Sequence, residues 1–199
     1  MLTKIFNVFA LVITMLCAGA AYAGKLEDGN AAYAKGNYAV AIAYFKQAAA
    51  QGDADAQYNS GVMYEKGQGV VQDYAEAVKW YKLAAAQGYE LAQHNLGVMY
   101  EKGQGVVQDY AEAVKWWKLA AAQGHARAQQ NLGVMYDKGQ GVVQDYVRAH
   151  MWQNLAAAPG NANAVKNRDI LAKKMTTQQI AEAQKLAREC QARLYKRCD

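Results

Sequence analysis

Between Asp73 and Gly88 the apolar positions Tyr74, Ala77, Val78, Tyr81, Ala84 and Ala85 recur at helical spacing, with Glu76, Lys79 and Lys82 elsewhere on the cylinder. After Gly88 the same period returns in Ala92, Leu96, Val98, Met99 and Tyr100, and it stops at Gly103. The pattern predicts two amphipathic helices. Asp73 and Glu76 stand three apart, which suits an N-cap with a first-turn carboxylate, and Gly88 supplies a left-handed C-cap. The run GQGVVQ then turns the chain into the next aspartate cap, Asp109.

This helix pair is repeated along the chain. Asp109 to Gln144 copies Asp73 to Gln108 with six changes, and a more diverged copy ends in the same run from Gly61 to Gln72. Tyr38, Tyr74, Tyr110 and Tyr146 mark the period, as do Gly52, Gly88, Gly124 and Gly160. Self-similarity at a fixed period in the thirties is the mark of a solenoid. Neither helix of a unit buries its apolar side alone, so stacked copies must share one core. The predicted fold class is therefore all-α, an α-solenoid of antiparallel helix pairs.

In chain order, Leu26 to Lys35 is expected as the first helix and Tyr38 to Ala50 as its partner. Pairs then begin near Asp53, Tyr89 and His125, and the helix from Asp145 to Ala158 breaks register: Pro159 replaces a glutamine, and Met151 and Asn154 replace lysines. Asn161 to Lys174 is the next helix, with Asp169 in the position held by Gly61, Gly97 and Gly133. Thr176 with Gln179 forms a capping box that opens the last helix, whose stripe Ile180, Ala183, Ala187 and Cys190 lies opposite Lys185 and Arg188. The domains expected are a repeat region over 24–175 and a C-terminal capping helix with its tail over 176–199.

The motif AxAVKWYKxAAxxG followed by AxxNLGxMYxxGxGV resembles the Sel1-like repeat, a relative of the tetratricopeptide repeat, over roughly Gly36 to Arg168. The resemblance implies a right-handed superhelix. The helix holding Leu96, Gly97 and Tyr100 would be the inner member of its pair, lining a concave face, and the helix holding Tyr74, Ala77 and Tyr81 the outer one. It also implies a ligand held on a stripe of the inner helices. Some cysteine-rich relatives have been linked to β-lactam binding, but they carry a cysteine pair in each repeat, which this chain lacks.

Residues 1–23 carry a different pattern. Lys4 gives a positive start, Ile5 to Ala18 is apolar apart from Asn7 and Thr14, and Ala21-Tyr22-Ala23 fits signal-peptidase cleavage before Gly24. The run is short of the roughly 20 apolar residues that span a bilayer. A secretory leader cleaved after Ala23, giving a periplasmic or secreted mature chain without a transmembrane segment, is the expectation. An uncleaved anchor or a lipid anchor at Cys17 is the alternative, the latter weakened by Leu16 where a small residue belongs.

Composition and charge narrow the function. One proline, one serine and four threonines suit helices. The net charge is +5, and residues 166–199 hold nine Lys and Arg against four Asp and Glu, so the repeats themselves are nearly neutral. A nucleic-acid surface along the solenoid is unsupported. The basic end is read as a solvated cap, with an anionic membrane or wall polymer as the other reading.

The mature chain keeps two cysteines, Cys190 and Cys198, which an oxidising compartment would pair. Eight residues of unbroken helix span about 12 Å, whereas bridged Cα atoms lie about 4.4–6.8 Å apart. The helix must therefore end between them, with Leu194 to Arg197 folding back. Intermolecular pairing or two free thiols are the alternatives.

Catalytic chemistry finds no foothold. Ser60 stands in the core position of Leu96 and Leu132, and no lysine follows three places on. His94, His125 and His150 have no neighbouring ligand at zinc spacing, and they stand where other copies carry Tyr58, Gln130, Asp53 or Tyr89. No enzyme, metal or cofactor is expected. Trp80, Trp116 and Trp152 share one position with Tyr44, and Trp117 shares another with Phe45 and Tyr81. Such rings are read as packing between repeats, with a glycan- or peptide-stacking ladder as the alternative.

The differences between the two near-identical units are the most informative. They are Tyr81/Trp117, Tyr89/His125, Glu90/Ala126, Leu91/Arg127, His94/Gln130 and Glu101/Asp137. Positions 91, 94, 98 and 101 form one helical stripe, while the core positions beside them stay fixed. Transposed along the repeats, the stripes are Asp55, Tyr58, Val62 and Glu65, then Leu91, His94, Val98 and Glu101, then Arg127, Gln130, Val134 and Asp137. Either a ligand groove or plain surface exposure would vary here. As a groove, Tyr58, His94 and Gln130 form an accessible row flanked by Leu91 and Arg127, with Glu65, Glu101 and Asp137 as an acidic rail. The function expected is a non-enzymatic scaffold that binds a peptide or protein segment there, with a wall- or glycan-associated module using exposed tryptophans as the alternative.

Overall fold

The computed structural model describes residues 24–158, 160–196 and 198, and the expected leader with its cleavage site lies outside them. The described residues form ten helices and no strand. They are α1 (residues 24–34), α2 (Tyr38–Ala49), α3 (Ala54–Lys66), α4 (Tyr74–Ala86), α5 (Glu90–Lys102), α6 (Tyr110–Ala121), α7 (Ala126–Lys138), α8 (Tyr146–Ala157), α9 (Ala162–Ala172) and α10 (Thr177–Ala192). The chain divides into two compact units, Met1–Ala84 and Ala85–Asp199, with the boundary inside α4.

Local chemistry sets the helix ends. Oδ1 of Asp73 accepts from the amide of Glu76 at 2.9 Å, and Asp53, Asp109, Asp145 and Asn161 cap α3, α6, α8 and α9 in the same way. Thr176 and Gln179 form the expected capping box on α10. Gly67, Gly103 and Gly139 end α3, α5 and α7 in the left-handed conformation.

The loop GQGVVQ is built to return. The amide of Asp109 donates to the carbonyl of Tyr100 at 2.9 Å, and Nε2 of Gln108 donates to the carbonyl of Glu101 at 2.7 Å. The same two bonds recur at Asp73 with Gln72 and at Asp145 with Gln144. Its second glycine seats the loop on an earlier helix: a Cβ on Gly141 would lie 2.3 Å from the carbonyl oxygen of Tyr110, and one on Gly69 would lie 2.4 Å from that of Tyr38. Only glycine permits that approach.

In the first unit α2 packs on α3 around Ala41, Ile42, Phe45 and Met63, with Trp80 half-buried against Ala48, Ala49 and Ala56. In the second unit α5 packs on α6, α6 on α7, α7 on α8, and both α9 and α10 on α8. Trp117, Leu132, Met135, Trp152, Leu155 and Leu171 fill its core. Burying an aliphatic side chain of this size contributes about 1.5–3 kcal/mol. Three buried glutamines join the repeats polarly as well. Gln57, Gln93 and Gln129 each donate through Nε2 to a carbonyl near the end of the preceding helix, those of Ala49, Ala85 and Ala121, at 3.2, 3.2 and 3.3 Å. Each of these carbonyls also accepts the amide of the following glycine, Gly52, Gly88 or Gly124, so the glutamine supplies a second bond at the helix end.

Sulfur atoms of Cys190 and Cys198 lie at bonding distance with Cα atoms 5.0 Å apart. The helix ends between them, and Leu194 and Tyr195 turn the chain back with φ of 53° and 62°. The amide of Tyr195 closes this turn onto the carbonyl of Cys190 at 2.9 Å.

Candidate functional site

One contact between an odd-numbered helix and the helix after it is repeated along the chain with changing chemistry. Gly61, Gly97 and Gly133 are buried, and each takes a side chain from the helix after it. An added Cβ would lie 2.6 Å from the ring of Tyr81, 2.3 Å from Nε1 of Trp117 and 2.4 Å from Nε2 of Gln153, respectively. In the first unit Gly29 receives Phe45 likewise, at 2.6 Å. The polar end of each side chain finds a different acceptor: Tyr81 Oη donates to Glu65 at 2.5 Å, Trp117 Nε1 to the carbonyl of His94 at 3.1 Å, and Gln153 Nε2 to that of Gln130 at 3.0 Å.

Clefts lie over two of these seats. In the first unit a cavity of about 170 Å³ has Phe45 beneath it and Tyr33, Tyr58, Asn59 and Val62 around it. In the second, a cavity of about 290 Å³ is bounded by Gly133, Val134 and Asp137 of α7 and by Asn167 and Ile170 of α9, with Gln153 beneath. Stripe residues thus line both. At the rim of the larger cleft Asp137 pairs with Lys174 at 3.0 Å.

The row expected to be open is more enclosed than the stripe alone indicates. Asp55 and Arg127 are exposed, while Tyr58, Glu65, Leu91, His94, Glu101, Gln130 and Asp137 are half-buried. Tyr58 stacks at a tilt on Tyr81, with ring centres 5.8 Å apart. His94 lies 4.7 Å from the ring of His125, and Gln130 accepts from Asn161 Nδ2 at 2.8 Å. The acidic rail is not free either, since Glu65 holds Tyr81 and Asp137 holds Lys174. These positions face the space between neighbouring helices, and those helices approach closely enough for their side chains to meet.

The histidines are structural in their surroundings. His125 caps α7 through Nδ1, which accepts the amide of Ala128 at 3.2 Å, so that nitrogen carries no proton. Burial, and next the charge of His125, press His94 down to about 4. Burial also lowers His125, with Glu90 opposing and Arg127 adding to the effect, and it lowers His150. Among the described residues no three His, Cys, Asp or Glu side chains gather as a metal site. Ser60 is fully buried.

The tryptophans fit the packing reading better than the stacking ladder offered as its alternative. Trp152 is 2% exposed, and Trp80 and Trp116 are half-buried, with the Nε1 atom of all three out of reach of solvent. Trp80 packs against Ala48, Ala49 and Ala56, and Trp152 lies in the cluster with Ala120, Ala121 and Ala128. Gln153 and Ile170 were not singled out from sequence. The available signal was the break at position 153, where a glutamine stands in the place of Phe45, Tyr81 and Trp117.

The Sel1 repeat profile matches residues 19–53, 54–89, 91–125 and 126–161. A protective antigen present in uropathogenic Escherichia coli strains, solved by crystallography and displaying an SLR fold, is 44% identical, with a TM-score of 0.70 over 76% of this chain and 33% of that one. A crystal structure of a Sel1 repeat protein from Oxalobacter formigenes is 32% identical, with a TM-score of 0.66 over 83% of this chain and 75% of that one. The chain spans about a third of the length of the first of these. No curated protein matches it. The chain belongs to the Sel1 repeat family, and its fold is the all-α solenoid of helix pairs.

Proposed function

We propose that this Sel1 repeat chain is a secreted or periplasmic scaffold without catalytic chemistry, and that it holds a peptide or protein segment against its odd-numbered helices. One observation carries the reading: positions that vary between repeats border the clefts, Tyr58 in one unit and Asp137 in the other, each beside a valine that stays constant, Val62 and Val134. The unvarying positions Ala92 and Met99 are buried beneath. A groove that must fit a particular segment varies at its lining and not at its core.

Export is supported by two independent features. The pattern of residues 1–23 fits a leader cleaved after Ala23, and the proximity of Cys190 and Cys198 suits a bond formed in an oxidising compartment. A protective antigen among the similar structures is compatible with an extracellular place. We assign residues 24–175 to the repeats and 176–199 to a cap, because α10 opens at its own capping box and packs on α8. With Trp152 covered and Trp80 and Trp116 half-buried, the glycan reading has no ladder of fully exposed rings.

Site-specific photocrosslinking tests the groove. A crosslinker at exposed Arg127 on α7 is expected to trap a partner in the native compartment, and one at exposed Lys79 on α4 is expected to trap none. Equal yields from both positions, or adducts from Lys79 alone, would refute it. The mass of the mature chain, beginning at Gly24, checks the leader.

A further inference from the structure

The seat on Gly133 differs from those on Gly29, Gly61 and Gly97 in that an amide replaces an aromatic ring. Gln153 is 1% exposed, and its Nε2 is spent on the carbonyl of Gln130. Its Oε1 is buried and has no hydrogen-bond partner among the described residues. A buried amide oxygen left unpaired carries an unreturned desolvation cost, which a donor arriving from outside would relieve. Above it lies the cleft of about 290 Å³, walled by Val134, Ile170 and the stem of Asp137. Ile170 is 45% exposed at the rim, so part of its side chain is open to an incoming apolar group.

We propose that this cleft binds an aromatic side chain bearing a ring N–H, the indole of a tryptophan carried on a peptide segment. The chain itself supplies the precedent. One repeat earlier, an indole lies on the equivalent glycine and its N–H meets a backbone carbonyl. At Gly133 that carbonyl is taken by Gln153, whose own oxygen becomes the acceptor after a small rotation of the amide. The apolar walls cover the ring faces, and the volume is that of a single side chain, just below the roughly 300–1,000 Å³ of pockets for drug-sized ligands. This site rests on the groove reading above and makes it specific: a segment would anchor at the α7–α9 cleft by one tryptophan.

The test titrates N-acetyl-tryptophanamide and N-acetyl-phenylalaninamide into the full mature chain and follows the Gln153 side-chain amide and the Ile170 methyls by NMR. The tryptophan amide is expected to give saturable shifts at both. The phenylalanine amide, with no ring donor, is expected to bind about three- to tenfold more weakly, the value of one hydrogen bond. Gln153→Trp restores the ring of the earlier repeat and is expected to abolish the response with helical circular dichroism retained. Should that variant not fold, Ile170→Ala, which opens one apolar wall of the cleft, is expected to weaken the binding of both amides as read at the Gln153 side-chain amide, and undiminished binding would overturn the proposal. Equal binding of both amides by the unaltered chain, or an undiminished response in Gln153→Trp, would overturn the proposal. Crosslinking at Arg127 that persists beside a failed titration overturns the cleft and leaves the groove reading standing.

Discussion

A methyl group on Gly97 would sit 2.3 Å from Nε1 of Trp117, a residue with no exposed surface. Neither the indole nor the helix backbone has room to retreat, so Gly97→Ala is an overpacking change. Its expected cost is about 1–3 kcal/mol, read as a lower urea midpoint with an unchanged slope. His94 gives a residue-scale prediction of another kind. Its native pKa lies at about 4 against an ordinary 6.5, because burial and the neighbouring His125 disfavour the charge. Above pH 6.5 both folded and unfolded chains hold it neutral, so pH has no effect through this group. Between 6.5 and 4 the unfolded chain takes up the proton and the native chain does not, so stability falls as pH falls. Below about 4 both are protonated and the loss is complete. His94→Gln, which installs the residue found one repeat later at Gln130, is expected to flatten that slope. Urea midpoints measured from pH 7 to pH 4 decide it, and an identical slope in both chains would remove His94 as its source.

The helices and their ends were largely legible beforehand, since their signals are local. Asp53, Asp145, Asn161 and Thr176 cap the helices expected of them, and Gly103 ends α5 where its apolar period stops. His125 as a cap was not foreseen, because an imidazole does this only when Nδ1 is left unprotonated and turned towards the amide of Ala128. The buried glutamines were also missed. Gln93 reads as a polar residue beside a core alanine, and only the neighbouring helix end supplies the carbonyl that explains it. At the last helix, Cys190→Ser is expected to raise amide exchange in α10 and its tail while α5 to α7 keep their protection. Closing so short a loop stabilises by up to about 3 kcal/mol. Two free thiols in the oxidised mature protein, found by mass spectrometry, would contradict the bond.

For the molecule as a whole, repetition predicts nearest-neighbour energetics. Deleting Asp73 to Gln108 brings Asp109 directly after Gln72, with the same cap and the same Tyr-Ala-Glu-Ala run. A shorter chain that keeps its helical circular dichroism is the expected result, and loss of the signal would mean one indivisible core. The period, the helix pairs and the family were determined by sequence alone, because helical phase, caps and left-handed glycines act within a few residues of one another. Phase also placed Tyr58, His94 and Gln130 on one face. How deep that face lies was decided only by tertiary structure. His94 is covered because His125 arrives from the next cap, and the seats on Gly61 and Gly97 are closed because a ring of the following helix descends onto them. Clefts remain over Gln153, where the residue that descends is an amide, and, with smaller volume, over Phe45. Depth depends on how closely separate helices approach, which is set by side chains twenty or more positions apart, and no local pattern records that distance.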